Sequence, residues 1–320
     1  MTMPPNAKPV WLKALTEPRK TAFYGRFYVH AKRTPVRGDW CCWPSMPERP
    51  HLAWKVARLC GLRLVGRPTD QATVGYLFSD STHVQGPRQG DLPAGVPIIN
   101  ERCLDISKKR VEQAHQRVFG YGMAVDPTTH SGPMVIKSDT NAAHDGRVVQ
   151  GPIDRSEPGN VYQIVIDNAA TNIDGRKVRV PTVLDLRVTV VGCELTGAYR
   201  KYRQASHRFD NTNEHAFFHK PGELFSVEEQ RQLIAFAQDM GLDLGEIDVL
   251  RDNATGRIYA IDANNTPHSP PTVLEGPLAA WPIMTAAAEA FERQFLSGSP
   301  PTGPQGVVEP KPEGAAVPAR

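Results

Sequence analysis

The sequence lacks the features that would place the chain in a membrane or on nucleic acid. No apolar run approaches the roughly 20 residues that cross a bilayer, and no block of five or more basic residues occurs. The net charge is only +3, so nucleic acid is not strongly attracted. We therefore expect neither a membrane nor a nucleic-acid partner.

Cysteines at metal-binding or disulfide spacing are also lacking. The five cysteines are Cys41, Cys42, Cys60, Cys103 and Cys193, and none of them forms a C-x-x-C pair. Their odd number and the absence of a signal-peptide pattern predict reduced thiols in a cytoplasmic protein.

The composition is that of a globular protein. The 320 residues, 40% hydrophobic and 22% charged, are enough for one large packed unit or two to three smaller ones. The polar, proline-rich residues 1–10 and the proline- and glycine-rich residues 297–320 are predicted to be disordered. The oligomeric state is open, and a homodimer is compatible with the sequence.

The most informative stretch runs over residues 244–267. It predicts a hairpin of two strands, residues 247–252 and 257–261, joined by the three-residue loop Ala254-Thr255-Gly256. In that register Asn253 faces Arg257, and counting back along both strands fixes every other cross-strand pair.

This register brings two carboxylates together. Asp248 is predicted to lie directly opposite Asp262, and the period of two puts Asn264 on the same face. Facing like charges destabilise a hairpin unless a positive group lies between them, and oxygen ligands favour a hard cation such as Mg²⁺. Because Mg²⁺ completes its shell with water and phosphates, the implied partner is a nucleotide. The alternative is a solvated hairpin with scattered acids.

The first third of the chain predicts a small α/β unit. A helix over residues 51–60 alternates with strand candidates at residues 62–65, 73–78 and 96–100. Residues 11–50 mix aromatic and basic side chains, which could clamp a ligand. We favour an irregular layer whose aromatics are core and whose cations are solvated.

Two lysines stand out in the middle of the chain. The helix predicted over residues 105–120 carries Lys108 and Lys109 near its start, and the strand at residues 133–139 carries Lys137 in an apolar run, directly after Val135 and Ile136. A buried ammonium needs negative charge nearby. The small residues of the segment 140–149 would let backbone N–H groups approach an anion closely.

Further strands carry the remaining candidate residues. The segment 161–167 is an apolar strand ending at Asp167, and the longest β-branched run, residues 182–193, contains Asp185 and Arg187. An arginine inside a central strand needs a carboxylate or phosphate, and Asp185 could supply a purely structural partner. Helices are predicted over residues 226–240, with a capping box, and over residues 279–296.

The stretch 198–212 is the densest in basic and aromatic residues. Guanidinium groups suit carboxylates and phosphates geometrically. We expect one or two of these cations to orient an anionic acceptor and the rest to be solvated. The cations are Arg200, Lys201, Arg203 and Arg208.

The motif D-V-L-R-D, a turn, and I-D-A-N-N-T-P resembles the metal-binding hairpin of the ATP-grasp superfamily. The resemblance extends in order over residues 106–271. It implies an α+β fold of two lobes clasping ATP, with the ATP-grasp domain at residues 103–296 and a small pre-ATP-grasp-like α/β region at residues 11–102. Asp262 stands where glutamate is more usual, which leaves the number of metal ions open.

The resemblance also implies roles for individual residues. The Mg²⁺ ligands, with Mn²⁺ as an alternative ion, would be Asp248, Asp262 and Asn264. The phosphate lysines would be Lys137 and either Lys108 or Lys109, of which we prefer Lys108. Backbone groups of Gln163, Ile164 and Val165 would contact adenine, and Asp167 the ribose. The catalytic arginines would be Arg187 at the γ-phosphate and Arg200 at the acceptor.

Most relatives of this kind are ligases, which activate a carboxylate as an acyl phosphate for attack by an amine or another nucleophile. The resemblance therefore implies an ATP- and Mg²⁺-dependent ligase with a small anionic acceptor. The alternatives are a kinase acting on a small-molecule or sugar hydroxyl and a non-catalytic ATP-binding module.

Overall fold

A computed structural model of the chain describes residues 18–86, 94–271, 274 and 280–297. The segment 1–10 and the tail beyond Ser297, both predicted to be disordered, lie outside these residues. Helices and sheets alternate along the described chain, and this mixed architecture agrees with the predicted α+β class. Among the described residues, no helix is long and apolar enough to cross a membrane.

The helices are α1 Pro18–Arg33, α2 Leu52–Leu59, α3 Lys108–Phe119, α4 Pro221–Leu224, α5 Val227–Met240 and α6 Ala280–Phe291, the last continuing as a π-helix over Glu292–Leu296. The strands are β1 Gly38–Pro44, β2 Leu62–Val65, β3 Ala72–Phe78, β4 Ile98–Ile99, β5 Gly132–Ser138, β6 Arg147–Gly151, β7 Asn160–Ile164, β8 Ala169–Ile173, β9 Arg176–Val191, β10 Glu194–Gln204, β11 His215–His219, β12 Leu244–Arg251 and β13 Ile258–Asn264.

The N-terminal unit is a parallel sheet in the order β2-β1-β3-β4, packed against α1, α2 and α6. The expectation of an irregular layer before residue 50 was wrong, since α1 and β1 occupy it. Aromatic residues four apart on α1 explain the helix: Phe23 and Phe27 contact each other and Phe27 contacts Trp54. Phe27 and Trp40 are fully buried, as predicted for core aromatics. The identity of this unit as a pre-ATP-grasp domain stays a prediction.

Two antiparallel sheets form the rest of the molecule. The small one has the order β6-β5-β7, and the large one runs β11-β10-β9-β12-β13 with β8 paired to β9. Helix α5 covers one face of the large sheet, where its Leu233 and Phe236 pack against Val188 and Val249. The opposite face of the large sheet meets the N-terminal unit at one end and faces a cleft at the other.

Helix α5 begins and ends as its sequence predicts. Ser226 Oγ accepts from the Glu229 N–H, and a Glu229 carboxylate oxygen accepts from the Ser226 N–H at 2.8 Å. Gly241 ends the helix at φ 68°. A Cβ there would lie 2.6 Å from the backbone of Arg102, so both backbone conformation and space require glycine.

A buried asparagine joins the N-terminal unit to the large sheet. Asn100 Oδ1 accepts from the N–H groups of Asp243 and Leu244, and its amide donates to the Leu244 carbonyl at 2.9 Å. Tyr76 also donates to the Asn265 carbonyl at 2.6 Å. These bonds fix the open end of the β12–β13 hairpin, where β12 begins and β13 ends, relative to the N-terminal sheet.

Candidate functional site

A cleft lies between the small sheet and the large one. Strand β5, the segment 140–146 and the residues 208–211 border it, and the floor comes from β9, β10, β12 and β13. Its charged lining consists of Lys108, Lys137, Asp145, Asp185, Arg187, Lys201, Arg203, Arg208, Asp210, Asp248 and Asp262. Cations and carboxylates are thus concentrated in a single concave surface.

Asp248 lies directly opposite Asp262, as predicted, but the hairpin reaches this register differently. The strands close at Arg251 and Ile258, so the connection is longer than the predicted loop and the ladder beside it is shifted by one residue. Ile261 then forms a β-bulge that restores the expected pairing. Two departures from the predicted register cancel at the carboxylates.

Asp248 is held by two cations. Arg187 donates to both carboxylate oxygens, from Nε at 2.7 Å and Nη2 at 2.9 Å, and Lys201 Nζ donates to Oδ1 at 2.9 Å. Burial alone would raise the pKa of Asp248, but the charges of Arg187 and Lys201 hold it well below its usual range. Burial lowers the pKa of Lys201, and the charge of Arg187 lowers it further.

Arg187 also contacts Glu246, which the sequence analysis did not select. Its Nη1 donates to Glu246 at 3.2 Å, and Thr189 donates to the other oxygen of the same carboxylate at 3.2 Å. Glu246 is 1% exposed, and burial raises its pKa even though Arg187 lies beside it. The alternation of β12 places Glu246 on the same face as Asp248, and this spacing could have identified it.

Asp262 and Asn264 differ in their surroundings. Asp262 accepts from Lys108 Nζ at 2.5 Å, so the preferred lysine reaches the cleft, whereas Lys109 pairs with Asp139 outside the cleft lining. Asn264 Oδ1 instead accepts from the Thr266 N–H at 2.9 Å. The structure therefore brings two members of the predicted metal trio into the cleft and turns the third toward its own backbone.

Lys137 projects from β5 into the cleft and forms no ion pair with any described residue. Burial lowers its pKa to about 8, and the charge of Lys108 contributes in the same direction. A partly dehydrated ammonium beside an open cleft favours an anionic ligand.

The segment 140–146 forms the roof above Lys137. Asp145 accepts from the Ser138 N–H at 3.1 Å, and Asn141 is bonded to Thr82 and to the Asp80 carbonyl of the N-terminal unit. Gly146 packs so closely on the Phe209 ring that a Cβ would lie 2.4 Å from it. The roof therefore contacts both the N-terminal unit and the connection between β10 and β11.

The residues assigned to adenine and ribose lie at the end of β7, outside the charged lining. The Gln163 amide donates to Glu112 at 3.2 Å, and the Ile164 N–H donates to the Met123 carbonyl. Val165 follows half-buried, and Asp167 is exposed, with Oδ1 accepting from the Ala169 N–H. Ile164, Leu250 and Ile261 form a partly buried apolar surface nearby.

Arg200 lies on the wrong face of β10 for the role assigned to it. It lines a second cavity behind the sheet, together with Leu184 and Leu186. A bulge at Thr196 shifts the β9–β10 register, so that Lys201 rather than Arg200 pairs with Asp185. The glycine that follows, Gly197, is a signal for such a bulge.

Two cations of the same strand face the cleft instead. Lys201 holds Asp248, and Arg203 forms a buried ion pair with Asp185 and donates to the Asp210 carbonyl. Asp185, which the sequence offered as a structural partner of Arg187, therefore forms its ion pair with Arg203 instead. Arg208 donates to the Ile166 carbonyl and to Asn168 Oδ1.

The donor chemistry of the cleft fits Mg²⁺ only with help from a ligand. The described residues contain no group of three or more His, Cys, Asp or Glu arranged to hold a metal. Asp248 and Asp262 face each other and supply carboxylate oxygens, which suit a hard cation that takes its other ligands from water and phosphate.

No family model matches the sequence, and no curated protein matches it. Solved structures similar to it include VanG D-Ala:D-Ser ligase from Enterococcus faecalis, with 13% identity over 72% of this chain and 74% of that one at a TM-score of 0.44. A RimK-domain ATP-grasp protein from Sphaerobacter thermophilus matches with 12% identity over 79% of this chain and 98% of that one, also at 0.44.

Structures of the ATP-grasp ligase PsnB are 16% identical, at TM-scores of 0.35 to 0.40. They match 54% to 62% of this chain, which spans 57% to 63% of their length. The family that the hairpin motif resembles is also the family of these solved structures.

Proposed function

We propose that the cleft binds ATP with Mg²⁺ and that the protein is an ATP-dependent ligase that activates a carboxylate for attack by an amine or another nucleophile. The observation that carries the proposal is the convergence of Lys108, Lys137 and Arg187 with two facing carboxylates, Asp248 and Asp262, under a roof of small residues. Cations placed for phosphates and carboxylates placed for a hard metal are the two requirements of a nucleoside triphosphate site.

The charges of the cleft support a polyanionic ligand. Lys137 has no ion-pair partner among the described residues. The hydrogen bonds of Arg208 go to neutral oxygens, those of the Ile166 carbonyl and the Asn168 side chain. The carboxylates of the cleft floor, by contrast, each have a cationic partner: Asp262 pairs with Lys108, Asp248 with Lys201 and Arg187, and Asp185 with Arg203. The cations without an ion-pair partner are therefore available to bind an anionic ligand.

The adjoining apolar surface supports a nucleobase at one end of the same ligand. Ile261 lines the charged cleft and also packs with Ile164 and Leu250. A flat ring bound there would have the backbone of residues 163–165 at its edge and Asp167 beside the ribose. Burial of this apolar surface would add affinity without requiring further polar contacts.

The proposed reaction has two steps. A carboxylate oxygen of the acceptor attacks the γ-phosphorus, and the bond to ADP breaks. The nucleophile then attacks the acyl carbon, inorganic phosphate leaves, and an amine nucleophile gives up its proton. Mg²⁺ held by Asp248 and Asp262 would neutralise phosphate charge throughout.

The side chains of this protein contribute position and charge. Arg187 is fixed by Asp248 and Glu246, so its guanidinium meets a transferring phosphoryl group without reorganising. Lys137 holds the nucleotide from the opposite sheet. The contact of Gly146 with Phe209 closes the roof and keeps water from a reactive acyl phosphate.

Calorimetric titration of ATP with and without Mg²⁺ tests the nucleotide site. We expect Mg²⁺-dependent binding by the wild type and a loss of at least about tenfold in Asp262→Asn. Asp174→Asn is the matched control, because Asp174 lies exposed in the β8–β9 turn. Equal binding by both variants would remove Asp262 from the site.

Product analysis tests the reaction class. Screening amino acids and other small carboxylates should reveal an acceptor that releases ADP together with free phosphate. Release of ADP with a stably phosphorylated acceptor would identify a kinase instead.

A further inference from the structure

The two cations on Asp248 are held differently. Arg187 donates to both oxygens of Asp248 and also to Glu246, so three hydrogen bonds fix its guanidinium. Lys201 is 2% exposed, and its ammonium donates to a single described acceptor, Asp248 Oδ1. Of the two, Lys201 is the cation that can be exchanged.

A metal ion and Lys201 compete for the same oxygen. Oδ1 of Asp248 already accepts from Arg187 Nε at 2.7 Å and from Lys201 Nζ at 2.9 Å. A carboxylate oxygen with two cationic donors has no lone pair left for a metal ion. Among the described residues, Oδ2 accepts only from Arg187 Nη2, so a metal ion that engages both oxygens of Asp248 requires that a donor leaves Oδ1. The compact ammonium of Lys201 on its flexible stem is the donor that can move.

The displaced ammonium needs a new partner. Lys201 is buried on a central strand, and an unpaired buried charge is strongly unfavourable. Lys108 would also lose its partner. It donates to Asp262, on the other strand of the hairpin, at 2.5 Å, and a metal ion on Asp262 would displace it. Phosphate oxygens entering the cleft would provide new acceptors for both lysines while the metal takes the carboxylates.

We propose that Lys201 holds the metal position on Asp248 and that Mg²⁺ and nucleotide consequently bind this cleft together, each only weakly without the other. This inference rests on the proposed nucleotide site and adds that the metal ion and the nucleotide each increase the affinity of the cleft for the other. The two ligands exchange the ion pairs of the cleft in one step, so neither leaves a buried charge without a partner.

The binding of Mn²⁺, followed by the EPR signal of free Mn²⁺, tests the exchange without any turnover. Wild-type protein is titrated with Mn²⁺ alone and again in the presence of ADP, with ADP–Mn²⁺ lacking protein as the reference. We expect affinity for Mn²⁺ to be at least about 100-fold higher with ADP, because breaking buried ion pairs without replacement is costly.

Lys201→Met provides the complementary test, because it frees Oδ1 of Asp248. This variant should bind Mn²⁺ without ADP, with an affinity at least about tenfold above wild type. Arg200→Met is the matched control, since Arg200 is the neighbouring basic residue and faces the other side of β10. Lys108→Met, which frees Asp262, should give a smaller gain of the same sign.

The outcomes separate this inference from the proposed function. Equal Mn²⁺ affinity of the wild type with and without ADP would overturn the exchange and leave the nucleotide site standing. Failure to bind ADP or Mn²⁺ under every condition would overturn the nucleotide site and the exchange with it. If Lys201→Met does not fold, the two wild-type titrations still decide.

Discussion

The two faces of the large sheet are built from the same strands and have opposite chemistry. On one face Leu186, Val188 and Val249 pack under helix α5 in a continuous apolar core. On the other, Arg187 and Asp248, each adjacent in sequence to one of those residues, form a buried ion-pair network. Strand alternation alone separates the two faces.

The difference teaches how a charged cleft is held in a stable protein. The apolar face gains free energy from burial whatever the order of its residues, within limits of volume. The charged face is tolerated only because each buried charge has a partner. Such a charged face contributes little to the stability of the protein, but its internal ion pairs can be replaced by ion pairs with a ligand.

The largest effect is expected from Arg187→Met, which breaks the charged face. Glu246 and Asp248 would remain buried without their shared cation. We expect the free energy of unfolding to fall by about 3–5 kcal/mol, measured by urea denaturation, and nucleotide binding to be lost in calorimetry. A loss below 1 kcal/mol would mean that the network is solvated in solution.

Leu186→Ala, one residue away, breaks the apolar face. It should lower the free energy of unfolding by about 2–3 kcal/mol through lost burial and a residual cavity. Mg²⁺-dependent ATP binding should be retained at temperatures where the variant is folded. If binding fell as far as in Arg187→Met, the two faces would not be separable in function.

The pH dependence of ATP binding and of stability tests the role of Lys137 in the cleft. Its pKa of about 8 lies below the ordinary value of 10.5, so the ammonium that attracts phosphate is lost as pH rises through 8. ATP affinity should fall up to about tenfold per pH unit above 8. Stability should rise over the same window, because the unfolded chain then binds more protons.

Calorimetry and urea denaturation from pH 7 to pH 10 measure the two trends. Lys137→Met should show neither, apart from effects of other groups. An unchanged ATP affinity between pH 7 and pH 10 in the wild type would exclude Lys137 from phosphate binding.

The smallest effect is expected from Arg200→Met. Arg200 faces the second cavity and not the charged cleft, so its loss should change the free energy of unfolding by less than about 0.5 kcal/mol. ATP affinity should also stay within twofold of wild type, which is about 0.4 kcal/mol. A large loss of affinity would restore the catalytic role first assigned to Arg200.

Much of the cleft could be predicted from the sequence because single strands determine it. Lys137 in an apolar strand and Arg187 two residues after Asp185 follow from alternation, and both line the cleft. The predicted capping box at the start of α5 is present, since the Ser226 hydroxyl accepts from the Glu229 N–H. Ser107 caps α3 in the same way by accepting from the Arg110 N–H.

What could not be predicted depends on pairing between strands. Arg200 was assigned to the acceptor by its resemblance to an arginine of the family. Which basic residues of β10 face the cleft depends instead on the bulge at Thr196, which the sequence marks only by Gly197. The opposition of Asp248 and Asp262 was correct only because the bulge at Ile261 offsets the longer connection. The turn of Asn264 toward Thr266 is a local competition between side chain and metal that no pattern records.

The two bulges are the points at which the strands of the cleft can lose a residue without losing their pairing. If Thr196 were deleted, Gly197 would follow Leu195 directly and still pair with Thr189, so Lys201 would stay opposite Asp185. Deleting Ile261 would likewise leave Asp262 opposite Asp248, next to the pair of Ala260 and Val249. Comparisons with other sequences should therefore allow a single-residue gap at Thr196 or Ile261, whereas a gap elsewhere in β10 or β13 would move residues from one face of the sheet to the other.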